Sequence, residues 1–161
     1  MDICWKLVLP LITAHILADF GMQGDDEAAS KYKPVVLLKH AGIVAILSYV
    51  LVGRLELWMA PLIILASHAL IDLMKTRLNR ETLSCLATDQ IVHLLVIFLL
   101  GAFYTENMLS ESFSWVLFIE TWYYNALIFI SGFVLTVHGG AIVVRIAMAP
   151  YVQQIESLEQ K

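Results

Sequence analysis

Ser67-His68-Ala69-Leu70-Ile71-Asp72-Leu73-Met74-Lys75 closes an apolar run that begins near Leu57. His68 and Asp72 stand four residues apart, so on a helix one side chain lies a turn above the other, and Lys75 follows three residues after Asp72. Ionisable groups at the end of a membrane-length apolar segment cost several kcal/mol unless paired, hydrated or metal-bound. The chain uses the same device twice more, as His15…Asp19 and as Asp89…His93.

Composition sets the medium. Hydrophobic residues make up 60% of the 161 residues and charged residues 15%, against roughly 45–50% and 25% in soluble domains. With a mean hydropathy of +0.78, the chain reads as an integral membrane protein in contact with the lipid bilayer. The net charge of −4 comes without a polybasic strip, which argues against a nucleic-acid-binding face. Cys4 and Cys85 have no metal-ligand spacing and read as free thiols. The first apolar run carries His15 and Asp19 where a secretory signal would have a small-residue cleavage site, so it reads as a retained helix.

A bilayer core of about 30 Å needs about 20 apolar residues in a helix. The expected fold is an all-α polytopic bundle with spans at Ile3 to Phe20, Val35 to Val52, Leu57 to Met74, Leu86 to Tyr104 and Tyr124 to Ala149, the last stopped by Pro150. Pro10 marks a candidate kink in the first span. Gly24-Asp25-Asp26-Glu27 reads as the start of a short surface helix through Tyr32, with an Asp cap. Ser110 to Trp122 suits an interfacial helix, with Trp115, Trp122, Tyr123 and Tyr124 as belt residues. A sixth span results if Phe113 to Glu120 joins a tilted helix. Residues 1–150 read as one domain, and 151–161 as a short polar cytoplasmic tail. Lys31, Lys33 and Lys39 near the first connector, and Lys75, Arg77 and Arg80 in the third, put both on the cytoplasmic side. The amino terminus then faces out and the carboxyl terminus in.

That topology converges. His15, Asp19, His40, His68, Asp72, Asp89 and His93, from four helices, share one depth near the cytoplasmic boundary, and His138 lies about two turns from the inner end of the last span. Imidazole and carboxylate at i and i+4 can reach one ion, and this donor set suits a divalent metal such as zinc, manganese or iron. His15, Asp19, His68, Asp72, Asp89 and His93 are the candidate metal ligands or their supports. His40 and Lys75 are the candidate catalytic groups, for proton handling and substrate charge, with Lys75 also placed to neutralise Asp72 or bind a phosphate. Two ions about 3.5–4 Å apart would serve phosphoester or amide hydrolysis. Taken singly, each pair also reads as a structural hydrogen bond or ion pair, and Gln23 and Gln90 as network connectors or interface residues. Three functions remain open: a membrane-embedded hydrolase, a proton- or cation-handling transporter component, and a structural or signalling partner that forms homo-oligomers.

His15-Ile-Leu-Ala-Asp19-Phe20-Gly-Met-Gln23, Leu38-Lys-His40, His68-Ala-Leu-Ile-Asp72-Leu-Met-Lys75 and Asp89-Gln90-Ile-Val-His93, in this order and spacing, resemble the bacterial membrane-protein family known as domain of unknown function 3307. The resemblance runs from about Leu11 to Leu95 and implies a small multi-helix protein of the inner membrane, without naming an activity. A more distant similarity, to the YdjM-like membrane proteins described as metal-dependent hydrolases, rests on His and Asp within hydrophobic helices.

Overall fold

The computed structural model describes residues 5–78, 82–104 and 120–159, all in helices and short connectors with no strand among them. Helix α1 (Trp5–Ile16) runs into a π turn (Leu17–Met22), and a short α2 (Asp25–Ala29) follows. Then come α3 (Pro34–Val52), a single 3₁₀ turn (Leu55–Leu57) and α4 (Met59–Leu78). Next are α5 (Leu83–Phe103) and α6 (Glu120–Val134), which continues through a second π turn (Leu135–Gly139) into α7 (Gly140–Glu159). Five stretches are long and apolar enough to cross a membrane, so the expected five-span bundle is the one observed. The expected interfacial helix over Ser110 to Trp122 falls almost wholly outside the described residues, as do Cys4 and Trp115.

Helix α1 is the hub. It packs on α3, α5 and α6, while α4 bridges α3 and α5. The α1 span is 61% buried against 22–39% for the others, and large side chains such as Ile46, Leu70, Leu99 and Phe129 point outward as a lipid-facing coat requires. Pro10 lies inside α1 and lacks the N–H that would reach the Lys6 carbonyl four residues back. The Tyr124 hydroxyl donates to that carbonyl instead, at 3.5 Å. Tyr123 is buried and donates to the Leu51 carbonyl in the last turn of α3, so it joins two helices; Trp122 stays exposed. Thr13 and Ser131 join α1 to α6 by a hydroxyl–hydroxyl bond of 2.9 Å.

Helix α3 ends where the sequence puts its stop: Gly53 takes a φ of 67° and its N–H donates to the Tyr49 carbonyl. Four boundaries differ from expectation. Helix α2 has the acidic first turn its sequence implies, Asp25, Asp26 and Glu27, but Gly24 and not an Asp occupies its cap, and it ends at Ala29 before Tyr32. Helix α4 runs a turn beyond Met74, so Lys75 stands on the helix and not in a connector. Pro150 does not stop the last span: the helix passes through it to Glu159, because a proline costs a helix one donor and one crowded carbonyl without forbidding further turns beyond it.

The bundle has two unlike ends. At one, Leu7, Val8, Leu11, Val44, Val52, Leu57, Ala60, Ile64, Ile97 and Leu100 form a continuous apolar core. At the other, the same four helices bury His15, Asp19, His40, His68, Asp72, Asp89 and His93.

Candidate metal centre

Each helix delivers its polar pair by simple periodicity, except that Asp19 rides on the first π turn. A π turn widens the helix by one residue and re-aims the side chains beyond it, and here Asp19 and Phe20 are both buried. The two π turns face each other: Phe20 lies against Gly139, where an added Cβ would stand 3.5 Å from the ring and 3.1 Å from Leu135. Only a bare backbone fits there without movement.

The four imidazoles form a tight group. Ring centroids are 4.8 Å apart for His15 and His93, 4.2 Å for His68 and His93, and 5.1 Å for His40 and His68. Asp19 Oδ1 is ringed by three of them, at 3.8 Å from His15 Nδ1, 3.1 Å from His40 Nε2 and 3.4 Å from His68 Nε2. Asp72 Oδ2 lies 3.5 Å from His68 Nε2 and 3.8 Å from His40 Nε2. All six candidate ligands and His40 are therefore brought together. His138 is not, being exposed on the second π turn.

Hydrogen bonds assign the ring protons. The Gln90 amide nitrogen donates to Asp19 Oδ2 at 3.4 Å and to Asp89 Oδ2 at 3.3 Å, which turns its oxygen toward His15. An amide oxygen only accepts, so His15 Nε2 donates to it at 3.1 Å and Nδ1 keeps a free lone pair. His93 Nδ1 donates to the Asp89 carbonyl at 2.9 Å, leaving Nε2 as its lone pair. The Gln23 amide donates to His40 Nδ1 at 3.2 Å, so His40 Nε2 carries a proton and donates to Asp19. His40 is thus a donor to the carboxylate, whereas His15 and His93 present bare nitrogens backed by a carbonyl-type acceptor, the pattern that holds ligating imidazoles in metal sites.

The donor set suits a divalent cation. His15 Nδ1, His68 Nε2, His93 Nε2, Asp72 Oδ1 and Asp89 Oδ1 are buried without a hydrogen-bond partner. Among the described residues, ligand atoms converge within 4.8 Å in three sets: His15, Asp19 and His68; His40, His68 and Asp72; and Asp72, Asp89 and His93; the middle set can close on an ion once His40 gives up the Nε2 proton it donates to Asp19. His68 and Asp72 each belong to two sets, so the sets form one continuous site.

The lysines depart from expectation. Lys75 does not neutralise Asp72; its Nζ lies 2.6 Å from Asp89 Oδ2 on the neighbouring helix. Asp72 is held by Lys31, at 2.5 Å. Lys31 comes from the connector between α2 and α3, is 6% exposed, and reaches a carboxylate 41 residues away. Sequence reasoning counted it only as a topology marker, and the signal available was its place eight residues after Gln23, on a connector short enough to fold back. Gln23 and Gln90 are network connectors.

One side of the site opens into a cavity of about 350 Å³ lined by Asp19, Asp72, Gln90, Lys31 and Lys75, among others. The opposite side is closed by the apolar core. No match was found among curated proteins or solved structures. A family model described as "Protein of unknown function (DUF3307)" matches residues 7–124, a stretch that contains every residue of the His/Asp site, and the chain belongs to that family.

Proposed function

We propose that this chain is a membrane-embedded, metal-dependent hydrolase working at the cytoplasmic boundary of the bilayer. The observation that carries the reading is the set of three overlapping His/Asp groups, joined through His68 and Asp72, with a cavity on one side of the site and the apolar core on the other. His15, Asp19, His68, Asp72, Asp89 and His93 hold one or two ions of zinc, manganese or iron. Such an ion supplies Lewis acidity and lets water attack at neutral pH. His40, already donating to Asp19, moves a proton at Nε2, and Lys75 steadies negative charge on the substrate side of the cavity. The apolar core beyond the site speaks against a transmembrane pathway and so against a transporter.

A second reading has a specific observation in its favour. Lys31 and Lys75 already neutralise two of the three carboxylates, as a purely structural lock between helices would. Metal content separates the two. Purified full chain, loaded in turn with zinc, manganese and ferrous iron, is expected to retain one or two equivalents after desalting. Asp72→Asn and His93→Gln should lose them while wild-type helicity persists. A wild type without stoichiometric metal under every loading condition overturns the hydrolase and leaves the lock.

A further inference from the structure

The cavity beside the His/Asp site has two kinds of wall. Lys31, Lys75 and Arg145 bring three cations to it, and Phe20, Leu86, Ile142 and Ile146 give it an apolar flank. On α7 the spacing Ile142, Arg145, Ile146 turns a guanidinium and two branched apolar side chains toward the same space. Helices α5 and α7, which carry Leu86, Ile142 and Ile146 of that flank, touch each other only sparsely among the described residues. We infer that the cavity binds the phosphomonoester headgroup of a lipid-like amphiphile, which enters between α5 and α7 with its chains left in the bilayer. This extends the hydrolase reading by naming its substrate class, although binding itself needs no turnover.

The charges allow it. Arg145 is paired with Asp25 at 2.5 Å, but the two side chains are 54% and 78% exposed. Such a pair is held weakly, and its guanidinium is free to exchange a surface carboxylate for a bidentate phosphate. Lys75 uses one hydrogen bond on Asp89 and, as an ammonium, has three to give; its side chain is 37% exposed. Lys31 covers Asp72, and Asp19 accepts from His40 and Gln90; Asp25, which also lines the cavity and would be released by Arg145, is 78% exposed, so its charge is screened by solvent. At about 350 Å³ the cavity is at the small end of ligand pockets, suited to a headgroup but not to whole acyl chains. An acyl-free phosphate would meet the cations and leave the flank of Ile142 and Ile146 uncovered.

Equilibrium dialysis of the full chain in detergent against dioctanoyl phosphatidate, dioctanoylglycerol and glycerol 3-phosphate tests this. Phosphatidate is expected to bind at least about tenfold tighter than either of the others, since each lacks one half of the recognition. Arg145→Gln should weaken phosphatidate by about tenfold, whereas Arg54→Gln, at the other end of α3, should leave it unchanged. Ile142→Ser/Ile146→Ser should weaken phosphatidate and spare glycerol 3-phosphate. Equal affinity for dioctanoylglycerol, equal affinity for glycerol 3-phosphate, or indifference to Arg145→Gln overturns the proposal. Running the series with and without chelator keeps it apart from the hydrolase reading. Phosphatidate bound by protein that never takes up metal sinks the hydrolase alone, and metal-loaded protein that ignores phosphatidate sinks the amphiphile alone.

Discussion

Replacing Lys31 by Met removes the cation from a carboxylate that is 1% exposed. The side chains of Lys31 and Asp72 are 8% and 0% exposed and 2.5 Å apart, so the pair is buried in the strict sense. Removing one partner of such a pair typically costs about 3–5 kcal/mol. The expected loss for Lys31→Met lies near the lower figure, because Asp72 lines the cavity, from which water can reach the stranded carboxylate. Asp72→Asn should cost a similar amount by stranding the ammonium. The double variant removes both charges and should recover at least about 1.5 kcal/mol relative to the sum of the single losses. Reversible unfolding in mixed micelles provides the measurement, with Lys39→Met as the control. The Lys39–Glu27 pair is 3.5 Å long and the Lys39 side chain is 65% exposed, so its loss should stay within about 1 kcal/mol. Single losses that simply add to within about 0.5 kcal/mol would mean that Lys31 and Asp72 do not act on each other, and the account of charge balance in the site would fall.

The helix contacts give two further expected outcomes. Thr13→Val and Ser131→Ala, which break the 2.9 Å hydroxyl pair between α1 and α6, should show a coupling of about 0.6 kcal/mol and at most about 1.7 in a double-mutant cycle; no coupling would make the contact incidental. Gly53→Ala, at a φ of 67°, should lower unfolding stability by about 1 kcal/mol, while Gly24→Ala, with open space around it, should be close to neutral in the same assay.

The spans and the site were legible for the same reason. Periodicity of 3.6 fixes which face a residue takes, and alternating topology fixes the end of the bundle, so His15, Asp19, His68, Asp72, Asp89 and His93 had to meet once four apolar runs were recognised. The ion-pair partners were not legible. Lys75 at plus three from Asp72 suggested an intrahelical pair, but α5 brings Asp89 within 2.6 Å of its ammonium, a contact set by how two helices pack and not by spacing along either. Lys31 depends on a connector folding back beneath α4, and no local pattern encodes that. The π turns were equally hidden: a single widened turn at Leu17–Met22 leaves the residue types in place and changes only where Asp19 points. Pro150 misled in the opposite direction, since a strong local stop signal yielded to a helix that continues for two more turns.

The unequal treatment of the three carboxylates says which part of the site is open to a cation. Asp72 and Asp89 each hold an ammonium at 2.5 and 2.6 Å, so an ion entering between them has to displace a lysine and leave that charge to find a new partner. Asp19 has no lysine bonded to it. Its Oδ1 faces imidazole nitrogens on three sides, one of them the bare Nδ1 of His15, and no ammonium needs to move for the set of His15, Asp19 and His68 to close on an ion. A cation placed there would sit beside His68 and Asp72, the two residues shared with the other sets, and would weaken the hold of Asp72 on Lys31 by drawing on the same buried negative charge. Lys31 lines the cavity. Were a cation to fill the set of His15, Asp19 and His68, Lys31 would be loosened toward that cavity, which would couple the proposed metal site to the proposed anion-binding wall.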